Sequence, residues 1–206
     1  MNENSLFVDY LIHRGVLRSH SLIDAFLRCD RMLFVPDRLK NSAYGDYPLS
    51  IGEGQTISQP TTVAIMLELL APQEGNRILD IGSGSGWTTA LLASAVGNNG
   101  YVEGMERIGN LVEFGRGNLR KAGIANASIE PADTAVLGKP GRQYDRILVS
   151  ASASVMPGEL FDQLKPDGSL VIPVHNSLWH FTKNAEGAID GYELPGFRFV
   201  PLIVAL

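Results

Sequence analysis

The segment ILDIGSGSGW, residues 78–87, decides the fold of this chain. Its first half is a short apolar run typical of a buried strand, and the pattern that follows it, WTTALLASAV, is helical. Between them stand Gly82, Gly84 and Gly86, which have no Cβ and therefore allow a sharp turn and the close approach of a ligand. Because open α/β sheets bind ligands at the carboxyl ends of their strands, we expect a binding site here. The alternative is a tight turn that binds nothing.

Strand and helix patterns alternate on both sides of this segment. A helix is predicted over TTVAIMLELL, and the expected strands are RILDIG, YVEGME, ASIEPAD, YDRILVSAS and SLVIPV, most of them separated by helical patterns. We expect two later strands, at 178–184 and at 197–206. This alternation predicts an α/β fold whose sheet is doubly wound, mostly parallel and covered on both faces.

The N-terminal part of the chain has a different pattern. Helical spacing over residues 4–14, and again after Ser21, which we assign as an N-cap, predicts two short helices. The sequence IGEGQTISQP at 51–60 then forms a polar loop that leads into the next helix. We therefore divide the chain into an N-terminal helical cap with its loop at 1–60 and a ligand-binding core at 61–206, which together form one compact unit.

The overall composition excludes several classes of protein. The chain has 206 residues and a formal net charge of −5, which argues against a nucleic acid partner because phosphate binding requires a basic surface. With one cysteine, Cys29, and four histidines that include no H-x-x-x-H pair, we expect no internal disulfide and no metal. The N-terminus lacks a signal-peptide pattern, and no apolar run is long enough to cross a membrane. We therefore expect a monomeric, cytoplasmic protein with no membrane partner.

Two acidic residues follow neighbouring strands of the predicted sheet. Glu106 ends the second strand, where a carboxylate can accept two hydrogen bonds from a ribose diol, and Asp133 follows the third, where it can accept one from an adenine amine. Trp87 stands where the dinucleotide fingerprint has its third glycine, and no lysine follows the glycines. The set therefore favours an adenosine-containing ligand over a nicotinamide cofactor or a nucleotide phosphate. The alternative is a pair of surface carboxylates.

Several segments together carry a resemblance to a known family. In order from about residue 31 to 174 they are RMLFVP, AYGDYPLSIGEGQTISQP, ILDIGSGSGWTTALLA, MERIGNL, YDRILVSAS and LFDQLKPDGSLVIPV. On these, the chain resembles the protein-L-isoaspartate (D-aspartate) O-methyltransferases, within the Rossmann-like class I methyltransferases that use S-adenosyl-L-methionine. The resemblance implies methyl transfer to the free α-carboxylate of L-isoaspartyl residues in damaged proteins and peptides, a protein-repair reaction that leaves S-adenosyl-L-homocysteine.

The same resemblance implies roles for particular residues. Ser58 matches the family's active-site serine, and the loop at 51–60 would form a lid over the cofactor. From spacing alone, Ser58 ahead of Pro60 also suits a helix N-cap, and both roles stay open. Asp80 would accept a bond from the cofactor's ammonium; its alternative is to cap nearby backbone N–H groups. The implied cofactor-binding residues are Gln55, Thr56, Ile57, Asp80, Gly82, Ser83, Gly84, Gly86, Glu106, Arg107, Asp133 and Thr134.

This sequence departs from the family at two places. The usual Gly-Asp-Gly after the third strand reads ADTA here, with Ala132 and Thr134 in place of the glycines. Thr61 and Thr62 stand where the family often has an aromatic residue or histidine. Two alternatives therefore remain: a methyltransferase of the same fold that acts on another carboxylate, in a small molecule or modified peptide, and a cofactor-binding module without catalysis.

The expected mechanism requires no general base. A free α-carboxylate has a pKa of roughly 3 to 4, so it is already ionised at neutral pH. The loop at 51–60 accordingly contains no histidine or lysine. We expect the protein to act by positioning, with the Ser58 hydroxyl holding one carboxylate oxygen.

Overall fold

The structure is a computed structural model that describes residues 2–203. Its α-helices are α1 (Glu3–His13), α2 (His20–Arg28), α3 (Pro60–Leu70), α4 (Trp87–Val96), α5 (Gly109–Lys121) and α6 (Glu159–Asp162). Its strands are β1 (Leu49–Gly52), β2 (Gln55–Ile57), β3 (Arg77–Ile81), β4 (Tyr101–Glu106), β5 (Ala127–Pro131), β6 (Tyr144–Val149), β7 (Leu164–Val174), β8 (Ser177–Lys183) and β9 (Ile189–Pro195). The 3₁₀ segments Arg31–Phe34 and Asp37–Ser42 lie between α2 and β1. The predicted α/β fold is confirmed.

The main sheet has seven strands in the order β5-β4-β3-β6-β7-β8-β9. The five strands from β5 to β7 run parallel, and β8 and β9 add to the edge in antiparallel fashion. Next to β3 the strand order reverses, because the chain first moves outward to β4 and β5 and then returns to β6. Such a switch point opens a crevice at the carboxyl ends of the strands, where ligands bind in this class of sheet.

Hydrophobic clusters pack on both faces of the sheet. Ile78 joins the first cluster together with side chains from α1 to α5, while Leu79, which points to the opposite face, joins the second. Among the described residues, the one helix on the second face is the short α6, which packs through Leu160; irregular chain supplies the rest, with Leu137, Ala153, Met156 and Leu202. The connection at 132–143 contains one proline and two glycines and forms no helix. Both faces are therefore covered as predicted, but the second mostly by extended chain.

The N-terminal helices pack directly on the core. Phe26 of α2 makes an edge-to-face contact with Trp87 of α4, with ring centroids 5.5 Å apart, and the Trp87 indole N–H donates to the Cys29 carbonyl at 3.0 Å. Helices α1 to α5 share one hydrophobic cluster. The division of the chain at residue 60 stays a prediction.

The predicted start of α2 is wrong by two residues. The helix begins at His20 with Ser19 as its N-cap, and Ser21 lies inside the first turn. Ser19 is fixed there by Glu68 of α3, whose carboxylate accepts hydrogen bonds from the Ser19 amide at 2.8 Å and from its hydroxyl at 2.7 Å. This partner lies 49 residues along the chain, so local spacing carried no sign of it.

The last strands also differ from the prediction. Strand β7 begins at Leu164, five residues before the expected strand SLVIPV. The final strand among the described residues is β9, where the prediction placed it at 197–206. Strand β9 forms a hairpin with β8, and most of its residues are exposed at the sheet edge, so it lacks the apolar pattern of a buried strand. Residues 197–203 instead cross the end of β6, with a bridge between Ser152 and Pro201. The part of the predicted strand at 204–206 lies outside the described residues.

Candidate active site

The glycine turn follows β3 and has a left-handed backbone at every glycine. The φ angles of Gly82, Gly84 and Gly86 are 81°, 51° and 83°, which residues with a Cβ rarely adopt. The Gly82 and Ser83 amides donate to the Met105 carbonyl of β4 at 2.8 and 3.0 Å. The turn is therefore tied to the end of the neighbouring strand and holds a fixed shape.

A cavity opens above this turn, at the carboxyl ends of β3, β4 and β6. The predicted site residues that line it are Gln55, Thr56, Ile57, Ser58, Gly82, Ser83, Gly84, Glu106, Arg107, Asp133 and Thr134. Asp80 and Gly86 are not among the lining residues. The structure thus brings most of the predicted set together from four separate parts of the chain, and their roles as ligands stay predictions.

Glu106 has a fixed orientation at the end of β4. Its carboxylate accepts hydrogen bonds from the Gly84 amide at 3.1 Å and from the Ile108 amide at 2.9 Å, one on each oxygen, and the residue is buried. A carboxylate oxygen has more than one acceptor position, so both oxygens can still accept from a ligand. Glu106 therefore links the glycine turn to the wall of the cavity and can receive a diol.

The ADTA segment forms an exposed wall of the cavity. The Asp133 carboxylate accepts from the Ala135 amide at 2.9 Å, and the Ala132 amide donates to the Glu106 carbonyl at 2.9 Å. The buried Gln163 supports the following residues, since its amide donates to the Leu137 carbonyl at 2.9 Å. The loss of the family's two glycines therefore leaves a wall anchored at both ends.

Asp80 and Gly86 lie behind the cavity surface. Asp80 is fully buried, and one of its carboxylate oxygens accepts from the Thr88 and Thr89 hydroxyls at 2.8 and 2.7 Å. These partners are hydroxyls, so the alternative that Asp80 caps backbone N–H groups is wrong. Burial raises the pKa of Asp80 to about 6, and the two hydroxyls oppose that rise. Gly86 is the N-cap of α4 and packs against Gly115 of α5.

The close packing of Gly86 against Gly115 yields a prediction for Gly115, with Gly117 of the same helix, α5, as the matched control. A Cβ on Gly115 would lie 2.7 Å from the Ile129 side chain and 3.1 Å from the Gly84 carbonyl, whereas one on Gly117 would meet only the end of Arg120 at 3.9 Å. We expect Gly115→Ala to destabilise the protein by about 1 to 2 kcal/mol. We expect Gly117→Ala to stabilise it by about 0.5 to 1 kcal/mol, the usual gain of alanine over glycine in a helix.

Thermal and denaturant unfolding of the two variants measure this difference. Cofactor binding by calorimetry adds a second readout, because displacement of the glycine turn in Gly115→Ala should also weaken affinity. Equal stability of the two variants would contradict the backbone-to-backbone packing of α5 on the turn.

The predicted polar loop at 51–60 contains a β-hairpin that lies over the glycine turn. Strands β1 and β2 pair from Leu49 with Ile57, and the turn between them has positive φ at Gly52, Glu53 and Gly54. The Glu53 carboxylate accepts from the side chain of Asn110 at 2.8 Å, which ties the hairpin tip to α5. The expected loop is therefore a hairpin.

Ser58 stands between the hairpin and α3, at the wall of the cavity. The N-cap of α3 is Gln59, with Pro60 as the first helical residue, so the alternative role of Ser58 as the N-cap is wrong. One of the first helical amides is bound instead by Asp46, whose carboxylate accepts from the Thr61 amide at 2.9 Å and from the Thr61 hydroxyl at 2.7 Å. Among residues 2–203 the Ser58 hydroxyl has no hydrogen-bond partner, so it is available to a ligand.

Sequence reasoning missed several residues of the cavity wall. Ser150 and Ala151 at the end of β6 line it, as does the segment at 200–203 near the C-terminus. The Ser152 amide donates to the Val200 carbonyl at 2.8 Å, which holds this segment in place. Only the position of Ser150 after a buried strand could have indicated it; nothing in the sequence indicates the other contacts.

The cavity fits a ligand with several polar groups. Ser83 and Ser150 line the cavity, and their hydroxyls are buried with no hydrogen-bond partner among the described residues. One carboxylate oxygen of Asp80, behind the cavity wall, is also buried and without a partner there. Buried polar groups in native proteins are almost always hydrogen-bonded, so these atoms indicate a ligand or water. The amino and carboxylate groups and the adenosine of S-adenosylmethionine supply suitable partners. Within residues 2–203 no three His, Cys, Asp or Glu side chains are placed to hold a metal ion.

Fold and site together define a class I S-adenosylmethionine-dependent methyltransferase, with the glycine turn after β3 and the acid at the end of β4. The chain belongs to the protein-L-isoaspartate(D-aspartate) O-methyltransferase (PCMT) family, whose model matches residues 2–205. This confirms the resemblance drawn from the sequence. No helix in the described part of the chain is long and apolar enough to cross a membrane.

Individual relatives support the same assignment. The protein-L-isoaspartate O-methyltransferase of Pyrococcus horikoshii is 42% identical over 214 residues, covering 98% of this chain and 96% of the relative. That of Thermococcus onnurineus is 45% identical over 202 residues, covering 95% and 91%. A Plasmodium falciparum protein-L-isoaspartate O-methyltransferase, crystallised in complex with S-adenosyl-L-homocysteine, superposes with a TM-score of 0.86 at 29% identity, covering 98% of this chain and 99% of that one.

Proposed function

We propose that this chain methylates the α-carboxylate of L-isoaspartyl residues in the cavity above the glycine turn, with Ser58 as the catalytic residue. The observation that supports this most directly is the placement of Ser58. Its hydroxyl has no protein partner in the described residues and lines the same cavity as Gly82 and Gly84. Methyl transfer requires a bound donor and a carboxylate side by side, and this cavity provides a surface for each.

The donor would be held along the glycine turn. Glu106 would receive the ribose diol, since its two oxygens are already oriented by backbone amides. Ser83 would offer its unpartnered hydroxyl to the amino acid part, with Asp80 behind it. The remaining proposed contacts come from Gln55, Thr56, Ile57, Gly82, Gly84, Arg107, Asp133 and Thr134, while Gly86 would support the glycine turn from behind. When bound, S-adenosylmethionine supplies an electrophilic methyl group on a positively charged sulfur.

The protein's part in the reaction is to hold the acceptor. The isoaspartyl α-carboxylate is ionised at neutral pH and can attack without losing a proton, so no general base is required. Ser58 would donate to one carboxylate oxygen and leave the other free to react. The hairpin over the turn keeps water away from the reacting groups, and correct alignment accounts for roughly 7 to 11 kcal/mol of barrier lowering in well-oriented reactions.

The surroundings of the site fit a peptide acceptor. Residues 200–203 and Ser150 border the cavity at the end of β6, where a chain bearing the isoaspartyl residue would lie. We further propose that the protein acts in the cytoplasm as a monomer and without a nucleic acid partner, for which a net charge of −5 is unfavourable.

A methyl-transfer assay with labelled S-adenosylmethionine tests the proposal. The acceptors are one isoaspartyl peptide, its aspartyl twin of the same sequence, and small compounds with a free carboxylate. We expect label in the isoaspartyl peptide and none above background in the twin, because only the isoaspartyl linkage leaves an α-carboxylate free. Equal labelling of small carboxylic acids would favour the alternative substrate class. Cofactor binding without transfer to any acceptor would indicate a binding module and contradict the proposal.

A further inference from the structure

Arg31 is a buried cation that the reaction described above does not use. Its exposed fraction is 0%, and within residues 2–203 it forms no ion pair. In the described part of the chain its two Nη atoms donate to backbone carbonyls, those of Ala43 at 2.6 Å, Gly45 at 3.5 Å, Tyr47 at 3.3 Å and Ser58 at 3.0 Å, while its Nε is buried without a partner. Burial of a charge is costly unless it is well hydrogen-bonded, so this arrangement needs an explanation.

The carbonyls bound by Arg31 lie at the two ends of the hairpin. Tyr47 comes just before β1, and Ser58 comes just after β2. A single nitrogen, Nη2, donates to both of these carbonyls. The Arg31 side chain therefore joins the two hairpin stems, by which we mean the residues Tyr47 and Ser58 that flank the hairpin over the cavity. Ser58 is also the proposed catalytic residue.

The Arg31 guanidinium also contacts Trp87, the residue that follows the glycine turn. Its carbon lies 5.3 Å from the centre of the Trp87 ring, within the range of a cation–π contact. Trp87 lines the cavity and begins α4 immediately after Gly86. Arg31 thus connects the base of the hairpin to the element that follows the glycine turn.

Asp46 holds the same peptide from its other end. Its carboxylate binds the amide and hydroxyl of Thr61, so the segment 58–61 is fixed by Arg31 at its first residue and by Asp46 at its last. Burial lowers the pKa of Arg31 to about 10, opposed by the nearby charge of Asp46, so the guanidinium remains protonated at neutral pH. The two side chains hold the backbone on both sides of Gln59, while the Ser58 hydroxyl has no partner among residues 2–203.

We propose that Arg31 is a positioning residue for methyl transfer: by holding the Ser58 carbonyl and the other hairpin stem, it sets the direction of the Ser58 hydroxyl. Arg31 does not line the cavity, so its proposed effect on the reaction is exerted through Ser58, whose carbonyl it holds. This inference rests on the proposed function. The two Nη atoms of the planar guanidinium reach all four carbonyls, whereas lysine keeps the charge but has a single donor atom without that fork shape.

The first test compares Arg31→Lys and Arg31→Gln with Tyr44→Phe. The Tyr44 hydroxyl donates to Asp30 at 2.9 and 3.0 Å, so its removal disturbs the same 43–47 loop without touching the hairpin stems. Thermal melts define a temperature at which all variants are folded. There we expect both Arg31 variants to lower kcat about 100-fold, with the Kd for S-adenosylhomocysteine within about twofold of the parent. Tyr44→Phe should retain the parent's kcat.

A double-mutant cycle separates positioning from general support of the fold. If Arg31 acts through the Ser58 hydroxyl, Arg31→Lys should lower kcat by less than about threefold when Ser58 is already alanine. A full 100-fold loss in that background, or a loss confined to cofactor affinity, would overturn the inference.

Hydrogen–deuterium exchange provides a readout that does not depend on any activity. The peptide covering residues 57–61 should exchange about tenfold faster in both Arg31 variants than in the parent and Tyr44→Phe. Unchanged exchange there would refute the positioning role even if the parent proved inactive on isoaspartyl peptides. If the parent were inactive but the Arg31 variants still exchanged faster than it, the hold of Arg31 on the hairpin would be supported. That result would count against the proposed function alone.

Discussion

Replacement of Ser58 by alanine is expected to lower kcat/KM for an isoaspartyl peptide roughly 100-fold while cofactor binding stays within about twofold of the parent. The Ser58 hydroxyl lines the cavity and has no partner among the described residues, so its loss removes one hydrogen bond to the reacting carboxylate and no bond within the protein. A bond from a neutral donor to a buried charge contributes about 1.5 to 3 kcal/mol, which corresponds to roughly 10- to 150-fold, so the expected loss lies in the upper part of that range.

Ser50 supplies the matched control for this experiment. It lies in the same hairpin, in β1, but is exposed and does not line the cavity. Within the described residues its hydroxyl accepts one long hydrogen bond, of 3.4 Å, from the Gly52 amide. We expect Ser50→Ala to retain the parent's kcat/KM on the same peptide. Equal activity of Ser58→Ala and Ser50→Ala would remove Ser58 from the mechanism.

Asp80→Asn is expected to change how stability depends on pH. Burial raises the pKa of Asp80 from 3.8 to about 6, so the folded protein holds this proton more tightly than the unfolded chain does. The stability that the group contributes is therefore fully present below pH 3.8 and is lost as the pH rises through 6. Relative to Asp80→Asn, the parent should lose roughly 3 kcal/mol of unfolding free energy across this range.

Denaturant unfolding of parent and variant from pH 4 to pH 7.5 measures the difference. Asp145→Asn serves as a control of opposite sign: burial pushes the pKa of Asp145 up, but the hydrogen bond from the Arg77 amide and the charge of Lys165 outweigh it and the pKa is lowered. The parent should therefore lose stability relative to Asp145→Asn only as the pH falls below the unfolded value of 3.8, and the difference between the two should stay nearly constant from pH 4 to pH 7.5. A parent and Asp80→Asn variant with parallel pH profiles would contradict a buried, easily protonated Asp80.

The parts of the fold that could be predicted from the sequence are those whose signals are local. The turn at Gly82–Gly86 was identifiable because an apolar run, three glycines and a helical pattern follow one another directly over residues 78–96. Glu106 could be placed because the end of β4 must lie beside that turn in a parallel sheet. The acid and the glycines could therefore be predicted from local patterns and the alternation of strands with helices.

The parts that could not be predicted depend on contacts between distant residues. The position of Ser58 is set by Arg31, 27 residues earlier, and by Asp46, which replaces it in binding the start of α3. Neither side chain lies on a periodic pattern that identifies its partner. Strand β9 was missed for a different reason, since an exposed edge strand with charged residues and a glycine has no apolar alternation.

A crystal structure with S-adenosylhomocysteine and an isoaspartyl peptide bound together would test the central claim most directly. The account predicts the cofactor along the glycine turn at Gly82–Gly86, its ribose on Glu106, and the isoaspartyl α-carboxylate about 3 Å from the Ser58 hydroxyl. A carboxylate bound outside the cavity, or a Ser58 hydroxyl directed away from it in that complex, would contradict the account.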